Sequence, residues 1–276
     1  MLQSALNPQG PYAAAMAELT WVLFIGGTVI FVLVMALAAL AVWGRPGWLA
    51  SRRIVLAGGI AFPFVVLTAL LVYSLTLKSA PSAPPELRIE VVGHQWWWQV
   101  RYLDAQDEPD FETANEIRIP AGVEVEIALA SADVLHSFWV PSLAGKLDLV
   151  PGKDNRLRLA ASRPGMFRGQ CAEYCGGPHA QMALFVVALE KKAFEEWRAL
   201  QRRPARTSHA LFEARCAACH TVRGTAARGT LGPDLTHVGG RVSIGAGILP
   251  SNRGAIAGWI ASSQHLKPGN LMPSFG

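Results

Sequence analysis

The chain has 276 residues, 51% of them hydrophobic, and 25 Lys and Arg against 20 Asp and Glu give it a net charge of +5. That length accommodates about two domains. The arginines are scattered rather than gathered into a basic stripe, which excludes nucleic acid as a partner. All four cysteines stand in metal-binding patterns, so none is left over to pair elsewhere.

Two apolar stretches inflate the hydrophobic fraction. Leu19 to Val42 carries no charged residue and is long enough to cross a bilayer core, and Ile54 to Leu77 is the second such stretch. They predict a transmembrane hairpin over 19–78, with helices at about 19–43 and 54–77, preceded by an external segment over 1–18. Arg45, Arg52 and Arg53 lie between the helices whereas the N-terminal tail carries only Glu18, so the short loop is expected in the cytoplasm and both termini outside. A secretory signal peptide is the alternative for the first stretch, but it is too long for an h-region and no basic segment precedes it.

Ser79 to Pro85 reads as a connector. Beyond it come β-branched, alternating runs at Arg88 to Val92, Trp96 to Leu103, Glu116 to Ile119, Val123 to Ala130, Arg156 to Ala160 and Ala183 to Leu189. Gly and Pro break them at short intervals, which predicts an all-β sandwich or barrel over 79–190. Lys191 to Gln201 has the pattern of a short exposed helix that Arg202, Arg203 and Pro204 end, so 191–206 reads as a linker. Thr207 to Arg215 predicts a helix leading into a last domain over 207–276. From Glu86 to Glu190 nine Lys and Arg stand against fifteen Asp and Glu, a balance of −6, while Thr207 to Gly276 has six against two, a balance of +4. Tethered domains of opposite charge are expected to dock repeatedly through a small contact that salt weakens.

Two motifs carry the chemistry. Cys171 and Cys175 stand in Cys171-Ala172-Glu173-Tyr174-Cys175-Gly176-Gly177-Pro178-His179-Ala180-Gln181-Met182, with His136 upstream by 35 residues. His136, Cys175, His179 and Met182 alone would make a single blue-copper site, two imidazoles and a thiolate with a weak thioether. Cys171 is one thiolate too many for that. Two thiolates four apart suit a pair of copper ions bridged by both sulfurs, with one imidazole on each ion. The alternatives are a structural zinc on the two Cys and two His, which has no use for Met182, and a disulfide between Cys171 and Cys175. The second motif, Cys216-Ala217-Ala218-Cys219-His220, is the attachment signature of a c-type haem. Cys216 and Cys219 would hold the porphyrin covalently and His220 would be the proximal iron ligand. Met272, the only methionine after the motif, is the expected sixth ligand because a His and Met pair raises the haem potential. His237 and His265 are its rivals.

Gly93-His94-Gln95-Trp96-Trp97-Trp98, His136-Ser137-Phe138, Val140-Pro141-Ser142-Leu143 and the Cys171 to Met182 run, in that order, resemble subunit II of the haem-copper cytochrome c oxidases. The likeness runs from the first apolar stretch to about Leu189. With the Cys216 to His220 domain fused behind it, the chain is similar to the caa3 type. The resemblance implies a two-helix transmembrane hairpin, an all-β cupredoxin-like Greek-key domain and an all-α class I cytochrome c domain. It implies a binuclear copper centre (CuA) in which His136 and Met182 serve one ion and His179 and the Glu173 carbonyl the other, with Cys171 and Cys175 bridging. Trp96 is implied as the place where electrons enter, whereas Trp98 reads as packing. The Glu173 carboxylate, with Asp148 nearby, is implied to face a magnesium or manganese ion shared with the catalytic subunit. Gly232-Pro233-Asp234-Leu235 resembles the loop whose proline carbonyl orients the proximal imidazole.

The activity implied is that of one subunit of a bacterial respiratory cytochrome c oxidase, an oxidoreductase and translocase. Electrons from a donor would pass through covalent haem c and CuA to subunit I, where oxygen is reduced to water and protons are moved. No catalytic residue is expected in this chain itself. Subunit I, subunit III, an external donor such as a cytochrome or the quinol-oxidising complex, and the bacterial inner (plasma) membrane are the implied surroundings, with the C-terminal domains on the periplasmic face. A CuA-bearing subunit of a nitric oxide reductase and a membrane-tethered carrier without a catalytic partner remain open. Two departures stand out. The sequence stops four residues after Met272, where related domains continue into a C-terminal helix, so the haem domain is either shortened or leans on another surface. The start of the second membrane helix offers Arg52 and Arg53 where family members carry a glutamate, which puts a proton-channel contribution in doubt.

Overall fold

The computed structural model describes residues 3–44, 46–77 and 84–276, so Arg45, Lys78 and residues 79–83 of the expected connector lie outside the described residues. The chain forms two compact units, Ala14–Pro84 and Met1–Ala13 with Pro85–Gly276. In the first, helix α1 (Pro11–Ala39) continues through a π-turn at Leu40–Gly44. A 3-10 turn (Gly47–Ala50) leads to α2 (Arg52–Leu56), a second π-turn (Ala57–Ala61) and α3 (Phe62–Thr76). The spans of 34 and 25 residues have mean hydropathies of 2.7 and 2.5, and both exceed the ~20 residues a bilayer core requires. The side chains are apolar on every side, so only a hydrocarbon surrounding satisfies them. Several of their polar groups find partners within the hairpin. Thr20 and Thr28 donate to the carbonyls of Met16 and Phe24, and Tyr73 donates to Glu18 at 2.6 Å. The first helix starts at Pro11, well before the expected Leu19, because proline suits the first helical position and Ala13, Ala14, Ala15 and Ala17 are strong helix formers.

The second unit opens with a strap. Gln9 N–H donates to Ser142 O, Ala13 N–H to Leu143 O and Ser162 N–H to Gln9 O, which fixes residues 9–13 against the β domain. Ten strands follow: β1 (Leu87–His94), β2 (Trp97–Leu103), β3 (Pro109–Ala114), β4 (Glu116–Pro120), β5 (Val125–Ser131), β6 (His136–Trp139), β7 (Leu147–Leu149), β8 (Asn155–Leu159), β9 (Gly165–Cys171) and β10 (Ala183–Leu189). They make two five-stranded sheets ordered β3-β2-β1-β5-β8 and β4-β10-β9-β6-β7. Their apolar side chains join in one core that includes Trp98, Tyr102, Phe138, Leu143 and Phe167. The Tyr102 hydroxyl is buried there and satisfied, donating to Arg118 O and accepting from Arg118 N–H.

β3, β6, β7 and β9 go beyond the strands expected from sequence. β6 and β7 are too short to show a period, and Gly165 and Gly169 interrupt β9. Gly169 is required, since a Cβ there would lie 2.7 Å from the Trp139 carbonyl of neighbouring β6. Trp96 was expected to open a strand but lies in the two-residue turn between β1 and β2.

Helix α4 (Lys191–Gln201) is not the exposed linker its charges predict. Phe194 is buried, and Trp197 packs on Tyr102 and Phe111 at 5.4 and 5.6 Å, with the Arg118 guanidinium over its ring at 5.2 Å. Arg198 and Arg202 both pair with Asp110. Phe194, Trp197 and Gln201 share one helix face at spacings of three and four, so the helix belongs to the β domain.

The last domain contains α5 (Ala210–Arg215), a small hairpin of β11 (Ser243–Ile244) and β12 (Leu249–Pro250), and α6 (Arg253–Leu266) capped by the Asn252 side chain. Its core is thin. Between 207 and 276 the buried apolar residues are Ala227, Ile244 and Ala246, while Leu231 and Leu271 are 69% and 82% exposed.

This domain rests on the β domain along a continuous seam. Val242 N–H donates to the buried Glu116 carboxylate at 2.6 Å, Arg118 to Gly240 O at 2.8 Å, and Ala183 N–H to Ala246 O at 3.0 Å. Gly247 takes a φ of +82°, and a Cβ there would lie 2.9 Å from the Ala183 methyl. Each of these bonds has a backbone partner, and two of the three also use a charged side chain of the β domain, Glu116 and Arg118.

Candidate metal and haem centres

β6 and β9 are neighbours in the second sheet and end side by side, with Phe138 opposite Cys171. This register brings His136 from one strand to Cys171 on the other. The loop after β9 then folds back through a 3-10 turn, Gly177–Gln181, and returns His179 and Met182 to the same place. Cys171 Sγ lies 3.8 Å from Cys175 Sγ and 3.9 Å from His136 Nδ1, and Cys175 Sγ lies 3.5 Å from His179 Nδ1 and 3.9 Å from Met182 Sδ. The Glu173 carbonyl oxygen is 3.2 Å from Cys171 Sγ. His136, Cys171, Cys175 and Met182 are buried, and His179 is half-buried.

Six donor atoms therefore converge, two more than tetrahedral zinc takes. Each sulfur has its own imidazole, and the two sulfurs stand between the thioether on one side and the carbonyl on the other. That set fits two soft ions sharing both thiolates. Both cysteines are free, and their separation is far beyond a disulfide bond. Cys175, close by, shifts the Cys171 thiol down, and the hydrogen bond to Cys171 together with burial pushes Cys175 up, so the pair holds one proton between them.

Nothing in the sequence marks out Asp133. Its carboxylate accepts from His136 Nε2 at 2.8 Å, from Val134 N–H at 2.6 Å and from Gln95 N–H at 2.6 Å. Burial would raise its pKa, but these three donors outweigh it and hold the group below the usual carboxylate range. Burial likewise opposes a charge on His136, and Cys171 and Asp133 raise it nevertheless. Asp133 thus fixes which ring nitrogen faces the sulfurs. Gly93 makes room for that ring, because a Cβ at 93 would lie 2.7 Å from His136 Cδ2.

Trp96 also belongs to this neighbourhood. Its indole N–H donates to the Cys175 carbonyl at 2.9 Å, and the Gln95 amide donates to the same oxygen at 2.8 Å. Trp98 is fully buried against His136 and Phe138, and Trp97 stacks on His94 at 4.5 Å. Glu173 and Asp148 point outward, with the Lys146 ammonium 3.5 and 3.8 Å from them, so an ammonium stands where the two carboxylates meet.

In the last domain His220 Nδ1 donates to Pro233 O at 2.8 Å, which leaves Nε2 free for a metal. Burial lowers its pKa, so the ring is neutral and ready to coordinate at neutral pH. Gly229 N–H and Gly232 N–H bond to Ala217 O and Cys219 O and close the loop tightly over the Cys-Ala-Ala-Cys-His turn. A Cβ at 232 would lie 2.6 Å from the His220 ring. The Met272 loop is tied to α6, since Ser263 Oγ–H and Gln264 Nε2–H donate to Met272 O and Met272 N–H donates to Asn270 Oδ1. His237 is held by the Arg203 carbonyl instead. Two attachment thiols, an oriented imidazole, a thioether and exposed leucines around a nearly empty core fit a porphyrin that supplies the missing apolar interior.

Residues 105–189 match the family Cytochrome C oxidase subunit II, periplasmic domain, and residues 206–276 match Cytochrome c. The cytochrome c oxidase subunit 2 of Alkalihalophilus pseudofirmus is 41% identical over 196 residues, which are 68% of this chain and 55% of that protein. The chain belongs to the cytochrome c oxidase subunit II family. It carries that family's copper-domain fold behind two apolar helices, with a cytochrome c domain fused at its end, as in the caa3 type. Subunit 2 of Myxine glutinosa is 29% identical over 65% of this chain and 86% of its own length. The crystal structure of the periplasmic domain of subunit II of the Bradyrhizobium japonicum cytochrome oxidase is 30% identical, with a TM-score of 0.41, over 44% of this chain and 97% of that one. The chain spans little more than half the length of the Alkalihalophilus relative.

Proposed function

We propose that this chain is the subunit through which electrons enter a bacterial respiratory cytochrome c oxidase. The haem and the copper pair would each supply a one-electron carrier when bound, so that an electron from an external donor could pass towards subunit I with no atom transferred. Cys216 and Cys219 would attach the porphyrin and His220 and Met272 would ligate its iron, with the Pro233 carbonyl holding the His220 ring. Cys171 and Cys175 would be shared by the copper ions, with His136 and Met182 holding one and His179 and the Glu173 carbonyl the other.

Trp96 is the contact through which the copper centre receives its electron, and its bond to the Cys175 carbonyl is the observation that supports this. The whole reading is carried by the convergence of six donors, two of them thiols, at the joined ends of β6 and β9. The hairpin sits in the bacterial plasma membrane with the copper and haem domains outside. Subunit I, with subunit III, completes the assembly, and a magnesium or manganese ion at Glu173 and Asp148 would have to displace the Lys146 ammonium as that partner docks. Oxygen is the final acceptor, and proton translocation is the work of the assembly.

Mild extraction from the membrane tests this directly. A large haem-bearing subunit should copurify, and the complex should consume oxygen when given a reduced cytochrome. A complex that consumes nitric oxide but not oxygen, or a chain that runs alone, contradicts it.

A further inference from the structure

Lys267 is an unusual residue for its position. It lies five residues before Met272, yet it is only 2% exposed. Its ammonium donates to three backbone carbonyls, Trp96 O at 2.6 Å, Gln181 O at 2.9 Å and Gly245 O at 3.2 Å. Three N–H bonds and three acceptors match one to one, which is what a buried ammonium requires. Among the described residues no carboxylate pairs with it.

The identity of the acceptors gives the position its meaning. Trp96 lies in the turn whose indole bonds the Cys175 carbonyl, Gln181 precedes Met182, and Gly245 belongs to the haem domain's own hairpin loop. The neighbouring groups reinforce the contact. Gln181 Nε2–H donates to Leu266 O at 3.2 Å, and Gly269 lies so close to the Trp96 ring that a Cβ there would be 3.7 Å from it. A chain of covalent and hydrogen bonds therefore runs from the loop bearing the expected iron ligand, through Lys267 and Trp96, to a bridging cysteine.

We propose that Lys267 is the positioning residue for electron transfer from haem to copper, its ammonium clamping the loop that leads to Met272 onto the carbonyls of Trp96 and Gln181. This rests on the function proposed above. Transfer between two fixed centres falls steeply with the gap between them, so whatever holds the two loops together sets the rate.

The test uses the full chain, loaded with copper and haem, and the variant Lys267→Met. Haem-to-copper transfer is followed after a light-triggered electron injection, and hydrogen exchange is read at the amides of Ala183 and Val242, which donate across the seam. Losing the three hydrogen bonds of Lys267 shifts a docking equilibrium by at least about tenfold. The variant should therefore keep both centres' spectra, transfer about tenfold more slowly or worse, and exchange both amides faster, and Lys267→Arg should recover most of the rate. Wild-type rate with protected amides overturns the proposal, and so does slow transfer with the amides still protected. If Lys267→Met loses either centre, Lys267→Gln carries the same pair of readouts, and unchanged rate and protection there count against the clamp. A parent chain that binds no copper pair sinks the function itself, and that outcome is read from the parent alone.

Discussion

Asp133 offers the sharpest test of how the copper centre is built. Three hydrogen bonds converge on its carboxylate, from His136 Nε2, Val134 N and Gln95 N. Asp133→Ala removes all three and frees the His136 ring to turn its Nδ1 away from the sulfurs. Outer partners of this kind typically change metal affinity by about 10- to 100-fold, or about 1.4–2.8 kcal/mol. Asp133→Asn is milder. One oxygen can still accept from His136 and Val134, but the amide nitrogen then faces the Gln95 N–H donor to donor. The structure therefore ranks the series as parent, then Asn with a loss below about tenfold, then Ala with a loss of about 10- to 100-fold. Copper competition against a chelator of known affinity, on the haem-loaded chain, reads the ranking. If Asp133→Ala binds copper within about twofold of the parent, the carboxylate does not orient the ligand and the reasoning fails.

In the haem domain, Gly232→Ala places a methyl 2.6 Å from the His220 ring, an overpacking that should cost about 1–3 kcal/mol; a thermal midpoint and a proximal-ligand vibration both equal to the parent's would contradict this. Phe194→Ala should destabilise the β domain by about 3–5 kcal/mol, as for a buried core aromatic, because α4 is part of that domain; denaturant unfolding followed at the copper absorption would show no change if α4 were a free linker. For pH, the sign follows from the thiols. The Cys171 thiol is shifted down and the Cys175 thiol up, so the pair holds a proton in the metal-free chain, copper must expel it, and its apparent affinity should rise with pH through neutrality. Competition titrations that give the same affinity at slightly acid and slightly alkaline pH would rule this out.

The chemistry was legible in the sequence because its ligands cluster. Cys171 to Met182 and Cys216 to His220 are each a single local run whose residue types and spacing specify a metal, and the structure brings the distant His136 to the first of them by strand pairing. The residues that position these ligands were not legible. Asp133 is one acidic residue in a loop, and nothing in its neighbours shows that it will reach both His136 and the turn at Gln95. Lys267 reads as an ordinary surface lysine, and only the seam buries it. Helix α4 carries enough charge to look exposed, although Phe194 and Trp197 mark a packed face. Trp96 left the strand predicted for it because the sharp turn between β1 and β2 falls one residue later than its apolar run implies. Local chemistry is written in spacing, whereas support comes from contacts far apart in the chain.

Low-temperature electron paramagnetic resonance of the copper-loaded chain, with copper and haem counted on the same sample, addresses the paired-thiolate centre most directly. Two coppers and one haem per chain, with a seven-line pattern from one electron shared equally by two copper nuclei, is the predicted result. A four-line spectrum from a single cupric ion, or stoichiometric zinc in place of copper, would contradict the account.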